Sequence, residues 1–117
     1  MPIQTIYNRF SQAVIFSCEA ETLREAVEKA VAEGVSLAEA DLSGADLFLA
    51  NLFLANLTRA NLEWADLTRA NLEGANLSRA DLYRANLTGA YLHKANLTVV
   101  DLYGANLDGA NLSGATF

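Results

Sequence analysis

Cysteine is nearly absent from this chain of 117 residues. Cys18 stands alone, which excludes an internal disulfide and fits a reducing compartment. Histidine is equally scarce: His93 is the only one, it lies beside Lys94, and no cysteine or second histidine joins it to make a histidine-rich metal site. No apolar run approaches the roughly 20 residues that cross a bilayer, so no membrane association is expected. The opening Met-Pro-Ile-Gln-Thr lacks the basic-then-apolar order of a secretory signal, and a cytoplasmic location is expected. Basic residues are outnumbered, with eight Lys and Arg against fourteen Asp and Glu, a net charge of −6 and a pI near 4.6. Residues 1–34 carry three basic and five acidic groups, and residues 35–117 carry five and nine. Direct binding of nucleic acid, which needs a basic face, is therefore not expected.

Insertions are also absent, and that absence reveals what is present. From Val35 to Phe117 the chain repeats every five residues without interruption. Leucine holds the centre of sixteen consecutive units, from Leu37 through Leu112, and Phe117 takes the seventeenth. Two residues before each centre, from Ala40 to Ala115, stands Ala, except at Val100. One residue before it, from Asp41 to Asn111, stands Asp or Asn, except at Tyr91.

A period of five suits neither regular structure. On an α-helix each step turns the side chain by about 500°, so the leucines wander around the axis. On a flat strand an odd step sends them to alternate faces. All leucines point inward only if the chain bends once per unit, with Leu and the preceding Ala facing in and the other three residues facing out. Six of the seven glycines (Gly44, Gly74, Gly89, Gly104, Gly109 and Gly114) occupy the second position after the leucine. That position is the expected corner, because glycine tolerates positive φ. The Asp or Asn bonds nearby backbone amides, which suits a residue beside a bend. Val100, where Ala is expected to lie closest to the axis, should produce a small bulge or repacking.

The run Ala-Asp-Leu-Ser-Gly-Ala-Asp-Leu-Phe-Leu-Ala-Asn-Leu, residues 40–52, resembles the pentapeptide-repeat family, and the likeness extends over 83 of the 117 residues. The resemblance implies a β solenoid: a right-handed quadrilateral β-helix with four units and twenty residues per coil, here making about four coils. With strands about 4.8 Å apart, the stack is about 20 Å tall.

The first 34 residues read differently and are expected to cap this β-helix with a β-hairpin plus an α-helix. Ile3–Tyr7 and Ala13–Cys18 are β-rich runs around the turn-compatible Asn8–Gln12. Thr22-Leu23-Arg24-Glu25 fits a capping box, Leu23, Ala26, Val27, Ala30 and Val31 form one apolar stripe, and Gly34 supplies the stop. The helix is too short to be stable alone, and the open end of the first coil is the surface that would bury its stripe. Docking a partner helix is the alternative use of that stripe.

Residues twenty apart stack in columns, so the departures from the repeat can be placed on faces. Phe48, Leu49, Phe53 and Leu54 put large apolar groups at outward positions of the first coil. Either the hairpin folds over them with Ile6, Phe10, Val14 and Phe16, or they form a protein interface. Trp64, Tyr83 and Tyr103, with Arg84, stand on the face centred on Leu42, Leu62, Leu82 and Leu102. They read as a packed aromatic ladder or as a protein-binding face, being residue types enriched at hot spots. Beside them the Asp41, Asn61, Asp81 and Asp101 column would bond turn amides or hold a weak cation.

The Asn-Leu-Thr and Asn-Leu-Ser sequons at Asn56, Asn76, Asn86, Asn96 and Asn111 are by-products of the repeat. A filled β-helix offers no catalytic pocket, so neither enzymatic activity nor a cofactor is expected. The last coil, with Leu112 and with Phe117 plugging the core, exposes strand edges, and a homodimer through it is expected; the resemblance includes members that dimerise there. Two functions remain: a non-enzymatic interaction module for an unknown protein partner, or, as the resemblance implies for some members, a DNA mimic that binds DNA gyrase or topoisomerases. The short length, lack of projecting loops and several arginines depart from that second group.

Overall fold

The computed structural model describes residues 1–117. Three regular elements precede the repeat: β1 (Ile3–Tyr7), β2 (Val14–Glu19) and α1 (Leu23–Ala32). β1 and β2 pair antiparallel, from Ile3 opposite Glu19 to Ile6 opposite Phe16, with a register shift between Ile6 and Tyr7. The turn closes on Asn8, whose Oδ1 accepts from the N–H groups of Phe10 and Ser11. Helix α1 starts where its sequence signals a cap. Thr22 Oγ1 accepts from Glu25 N at 3.2 Å, while the Glu25 carboxylate reaches the Glu21 N–H instead of that of Thr22. It ends in a Schellman motif: Val35 N donates to Ala30 O, Gly34 N to Val31 O, and Gly34 takes φ +75°.

Beyond residue 36 the chain stacks on itself. Parallel bridges join residues twenty apart, from Asp41 with Asn61 to Asn96 with Thr116. The unit Ala60–Trp64 shows why this holds. Its five N–H groups all find acceptors: Ala60 N donates to Leu57 O across the corner, and Asn61 N to Ala40 O in the coil above. Leu62 N and Trp64 N donate to Asp81 O and Tyr83 O in the coil below, and Glu63 N donates to Asn61 Oδ1. The Asp or Asn side chain therefore satisfies the one amide that the stacked backbone cannot reach. Ser36 does the same for Ala38. Tyr91 cannot, and His93 N–H is the amide left without that acceptor, although the ladder bonds of Tyr91 itself are kept.

Each corner is a four-residue turn whose third residue has positive φ, the signature of type II. All sixteen corners from Glu39 to Gly114 adopt it, and ten of them are not glycine. Backbone hydrogen bonding at every corner thus overrides a side-chain preference worth about 1–2 kcal/mol per residue. Val100 causes no break in register: its turn bond to Leu97 lengthens to 3.2 Å and the Asp81–Asp101 bridge persists.

Inside, Leu37 through Leu97 and their alanines are buried in one continuous apolar core, and no polar side chain is buried. Leu102, Leu107 and Leu112 are half-buried. Ile6, Val27 and Ala30 join the same core from the hairpin and helix. Hydrogen bonds fix both to the first coil: Asp41 N donates to Tyr7 O, Arg9 N to Glu39 O, Arg24 Nη1 to Phe48 O and Asn51 N to Glu28 Oε2. Overall extents are 37 × 26 × 24 Å.

Two stability effects follow. Leu77→Ala should lower the free energy of unfolding by about 2–5 kcal/mol in a denaturant titration, because the rigid coils cannot collapse into the cavity. Val99, a β-branched residue at φ 57° on an exposed corner, is strained with no packing in return. Val99→Asn should raise the urea midpoint at unchanged m, a gain of about 1 kcal/mol.

Candidate functional site: an aromatic and carboxylate face

The face centred on Leu42, Leu62, Leu82 and Leu102 brings the sequence-predicted aromatics together. The Trp64 and Tyr83 rings meet edge-on at 6.2 Å, and Tyr83 and Tyr103 stack at 5.7 Å with an interplanar angle of 7°. The Tyr83–Tyr103 spacing comes from the ladder, since residues twenty apart lie on adjacent strands and meet directly, while Trp64 reaches Tyr83 from the neighbouring column. Arg84 covers the upper pair, its guanidinium carbon 5.2 Å from the Trp64 ring centroid and 5.4 Å from that of Tyr83, and its Nε donates to Tyr83 Oη. Ladder packing does not hide the rings. Trp64 remains 59% and Tyr103 71% exposed.

Alongside runs the column Asp41, Asn61, Asp81 and Asp101. Their Oδ1 atoms accept from the N–H groups of Ser43, Glu63, Tyr83 and Tyr103, which is the turn-amide reading of that column. Two more residues complete this face, of which Arg9 was not foreseen and Glu63 follows from the column above Tyr83. Arg9 arrives from the hairpin turn: its Nη1 donates to Arg59 O at 3.1 Å, and its Nη2 lies 3.9 Å from Asp81 Oδ2. Glu63 sits beside Asp81. A hydrogen bond shared with the Asp81 carboxylate, then repulsion from that same charge, raises the Glu63 carboxyl above its ordinary value of 4.5; Asp101 adds to the shift and Arg9 opposes it.

The other sequence-predicted residues lie elsewhere. The hairpin does not cover Phe48, Leu49, Phe53 and Leu54. Its bonds to Glu39 and Asp41 seat it on a different edge, and Phe10 and Val14 stay exposed. Phe48 is half-buried and its carbonyl is taken by Arg24. Leu49, Phe53 and Leu54 are exposed, with Phe53 beside Val31 and Ala32 of α1 and Leu54 folded across Gly74. A Cβ on Gly74 would meet the Leu54 side chain at 2.6 Å. Phe117 is 69% exposed and does not plug the core, whereas Leu112 packs against it. His93 Nε2 pairs with Glu73 Oε2 at 3.1 Å. No helix is long and apolar enough to cross a membrane.

Glu63 gives the face a pH signature. A carboxyl whose folded pKa is raised contributes stability that is full below its unfolded value and lost as pH rises through the folded one. Glu63→Gln removes the repulsion, so the variant should unfold at a higher temperature than wild type at pH 7. The difference should shrink as pH falls below about 4.5, and a pH series of melting curves reads it.

Comparison with known proteins places these features. The sequence matches the family described as pentapeptide repeats, in eight copies over residues 27–52, 55–93 and 80–117. Among solved structures it is similar to HetL, a pentapeptide repeat protein involved in heterocyst differentiation regulation in the cyanobacterium Nostoc sp. strain PCC 7120. The identity is 43% over 65% of this chain and 38% of HetL, with a TM-score of 0.62. It is also similar to a pentapeptide repeat protein of the Arabidopsis thaliana thylakoid lumen, 34% identical over 68% of this chain and 59% of that one, with a TM-score of 0.52. A search of curated proteins gave no match. With a twenty-residue ladder, four corners per coil and an unbroken leucine core, the chain belongs to the pentapeptide-repeat family, the right-handed quadrilateral β-helices.

Proposed function

We propose that this protein is a non-enzymatic interaction module whose contact surface is the Trp64–Tyr83–Tyr103 ladder with Arg84. In this reading residues 1–34 act as the cap on the upper coil, and the stack serves as a rigid mount. The exposed ladder carries the proposal. Trp, Tyr and Arg are the residue types concentrated at binding hot spots, and here two of the three rings remain largely in solvent. Ladder geometry also fixes the rings before any partner arrives, which lowers the ordering cost of association. Surface clefts lie along the hairpin and helix, with linings such as Thr22, Leu23, Arg24 and Asp46, and none of them assembles a nucleophile, a base and an orienting group. HetL, the 43% identical neighbour, is described as involved in regulation, which is compatible with a role exercised through contacts. DNA mimicry has less support: Arg59, Arg69, Arg79 and Arg84 stand exposed at corners and put positive charge on the faces.

Affinity capture from the source cells, run in parallel with wild type and with Trp64, Tyr83 and Tyr103 all changed to Ala, tests the assignment. The triple variant should fold, since no core residue is touched, and should lose the partner. A matched variant with Leu49, Phe53 and Leu54 changed to Ala should keep it. Retention of the partner by the ladder variant, or its loss only from the second variant, would move the contact surface away from the ladder.

A further inference from the structure

In an interior unit with its Asp or Asn every backbone N–H is donated within the stack, as in Ala60–Trp64, but one carbonyl in five is not used: that of the corner residue. The chain itself uses this spare acceptor in one place, through Arg9. Its backbone N–H donates to the corner carbonyl of Glu39, and its guanidinium donates to the corner carbonyl of Arg59 while facing the Asp81 carboxylate. Only about a fifth of the Arg9 side chain remains exposed. An arginine is thus held by a corner carbonyl and by a carboxylate on the coil below, two residues beyond the position beneath that corner, with Tyr83 as the residue next but one to that carboxylate.

The twenty-residue period repeats this set one coil down. Arg59 O becomes Arg79 O, Asp81 becomes Asp101, and Tyr83 becomes Tyr103. The backbone carrying both copies is the same ladder, with Asp81 bridged to Asp101. Asp101 is oriented as Asp81 is, its Oδ1 accepting from Tyr103 N at 3.0 Å where that of Asp81 accepts from Tyr83 N at 3.1 Å. In the lower copy, however, Arg79 O accepts no hydrogen bond, and no Lys or Arg of the chain pairs with Asp101. Arg9 cannot serve both, because its backbone is tied to Glu39 in the first coil.

The neighbours keep this lower copy open. Tyr83 is followed by Arg84, which lies over its ring, but Tyr103 is followed by Gly104. A Cβ at Gly104 would lie 2.8 Å from Arg84 Cγ, so a side chain there would displace Arg84 from the aromatic pair. At the corner below Arg79 stands Val99, which carries no charge to compete for a guanidinium. The local charge balance points the same way: Glu63, Asp81 and Asp101 are close enough to raise the Glu63 carboxyl, with Arg9 as the opposing cation.

We infer that Arg79 O, Asp101 and the ring of Tyr103 form a seat for an arginine side chain of a protein partner, repeating in trans what Arg9 does in cis one coil above. This rests on the ladder being the contact face. Arginine rather than lysine is specified because the upper copy uses the planar fork on two differently placed acceptors, which a single ammonium satisfies poorly. Arg9 itself lies over an aromatic ring, that of Phe10 at 4.8 Å, and in the lower copy the exposed ring of Tyr103 is the one available to a guanidinium.

Amide NMR of the intact protein tests the seat with blocked acetyl-Gly-Arg-Gly-amide at millimolar concentration, beside the same peptide with lysine and with citrulline. Citrulline keeps the shape of arginine and lacks its charge. Shifts are expected at Tyr103, Asp101 and Ala80, with affinity falling from arginine to lysine to citrulline. Asp101→Asn and Tyr103→Ala should each weaken the arginine peptide about tenfold. Asp108→Asn, which removes an exposed charge from the same coil on another face, should leave it unchanged. Equal binding of the citrulline peptide, an equal loss in Asp108→Asn, or no shift at these residues overturns the inference. The captured partner separates the two proposals. If Asp101→Asn keeps a partner that the triple ladder variant loses, the contact face stands and the arginine seat falls. If both variants keep it, the face itself is wrong.

Discussion

Everything in this fold depends on satisfying the backbone at a corner that comes once every five residues. A chain that turns so often cannot close helical or long-strand hydrogen bonds, and an unpaired buried amide costs about 1–3 kcal/mol. The stack meets the requirement by sharing the work. Four amides per unit bond to backbone, and the fifth bonds to the Asp or Asn side chain two residues before it, as Glu63 N does to Asn61. Tyr91 is the one interruption between Asp41 and Asn111, and the amide it leaves behind is that of His93. The corner residue must accept positive φ, and ten non-glycine residues do so because leaving that conformation would break the ladder above and below.

The same sharing makes the surface regular and stiff. Outward residues twenty apart are fixed on adjacent strands, so Tyr83 above Tyr103 stacks, and carboxyls on neighbouring strands can be held close enough to repel. Both outcomes occur on one face, in the Tyr83–Tyr103 pair and in the raised Glu63 carboxyl beside Asp81. The hairpin contributes to this face as well as to the top of the stack. Arg9 comes from a turn 72 positions before Asp81 and reaches it because β1 runs on into an antiparallel contact with residues 39–41. Removal of the hairpin would therefore expose core and also change the charge balance of the aromatic face.

Much of this was legible in the sequence. The period of five excluded helix and flat strand, the six glycines marked the corner, and Thr22, Glu25 and Gly34 bracketed α1. The Tyr83–Tyr103 column, with Trp64 and Arg84 in the column beside it, followed from counting by twenty. Less legible was where the hairpin would sit. Ile6, Phe10, Val14 and Phe16 matched the apolar Phe48–Leu54 patch in character, but hydrophobic attraction is non-directional and does not choose between edges. The choice was made by hydrogen bonds from Asn8 and Arg9 to Glu39 and from Asp41 N to Tyr7 O, which depend on strand register. Phe53 consequently lies beside α1, while Phe10 and Val14 face solvent.

By itself, then, the sequence determined the coil, its inward and outward sides, its corners and the vertical columns, because each follows from local periodicity and from the conformational limits of the backbone. Only the tertiary structure decided the docking edge of the hairpin, the seat of Arg9 on Arg59 O and Asp81, and the raised Glu63 carboxyl beside Asp81. Those depend on which groups from distant parts of the chain come within hydrogen-bonding range, and a five-residue repeat carries no record of that distance.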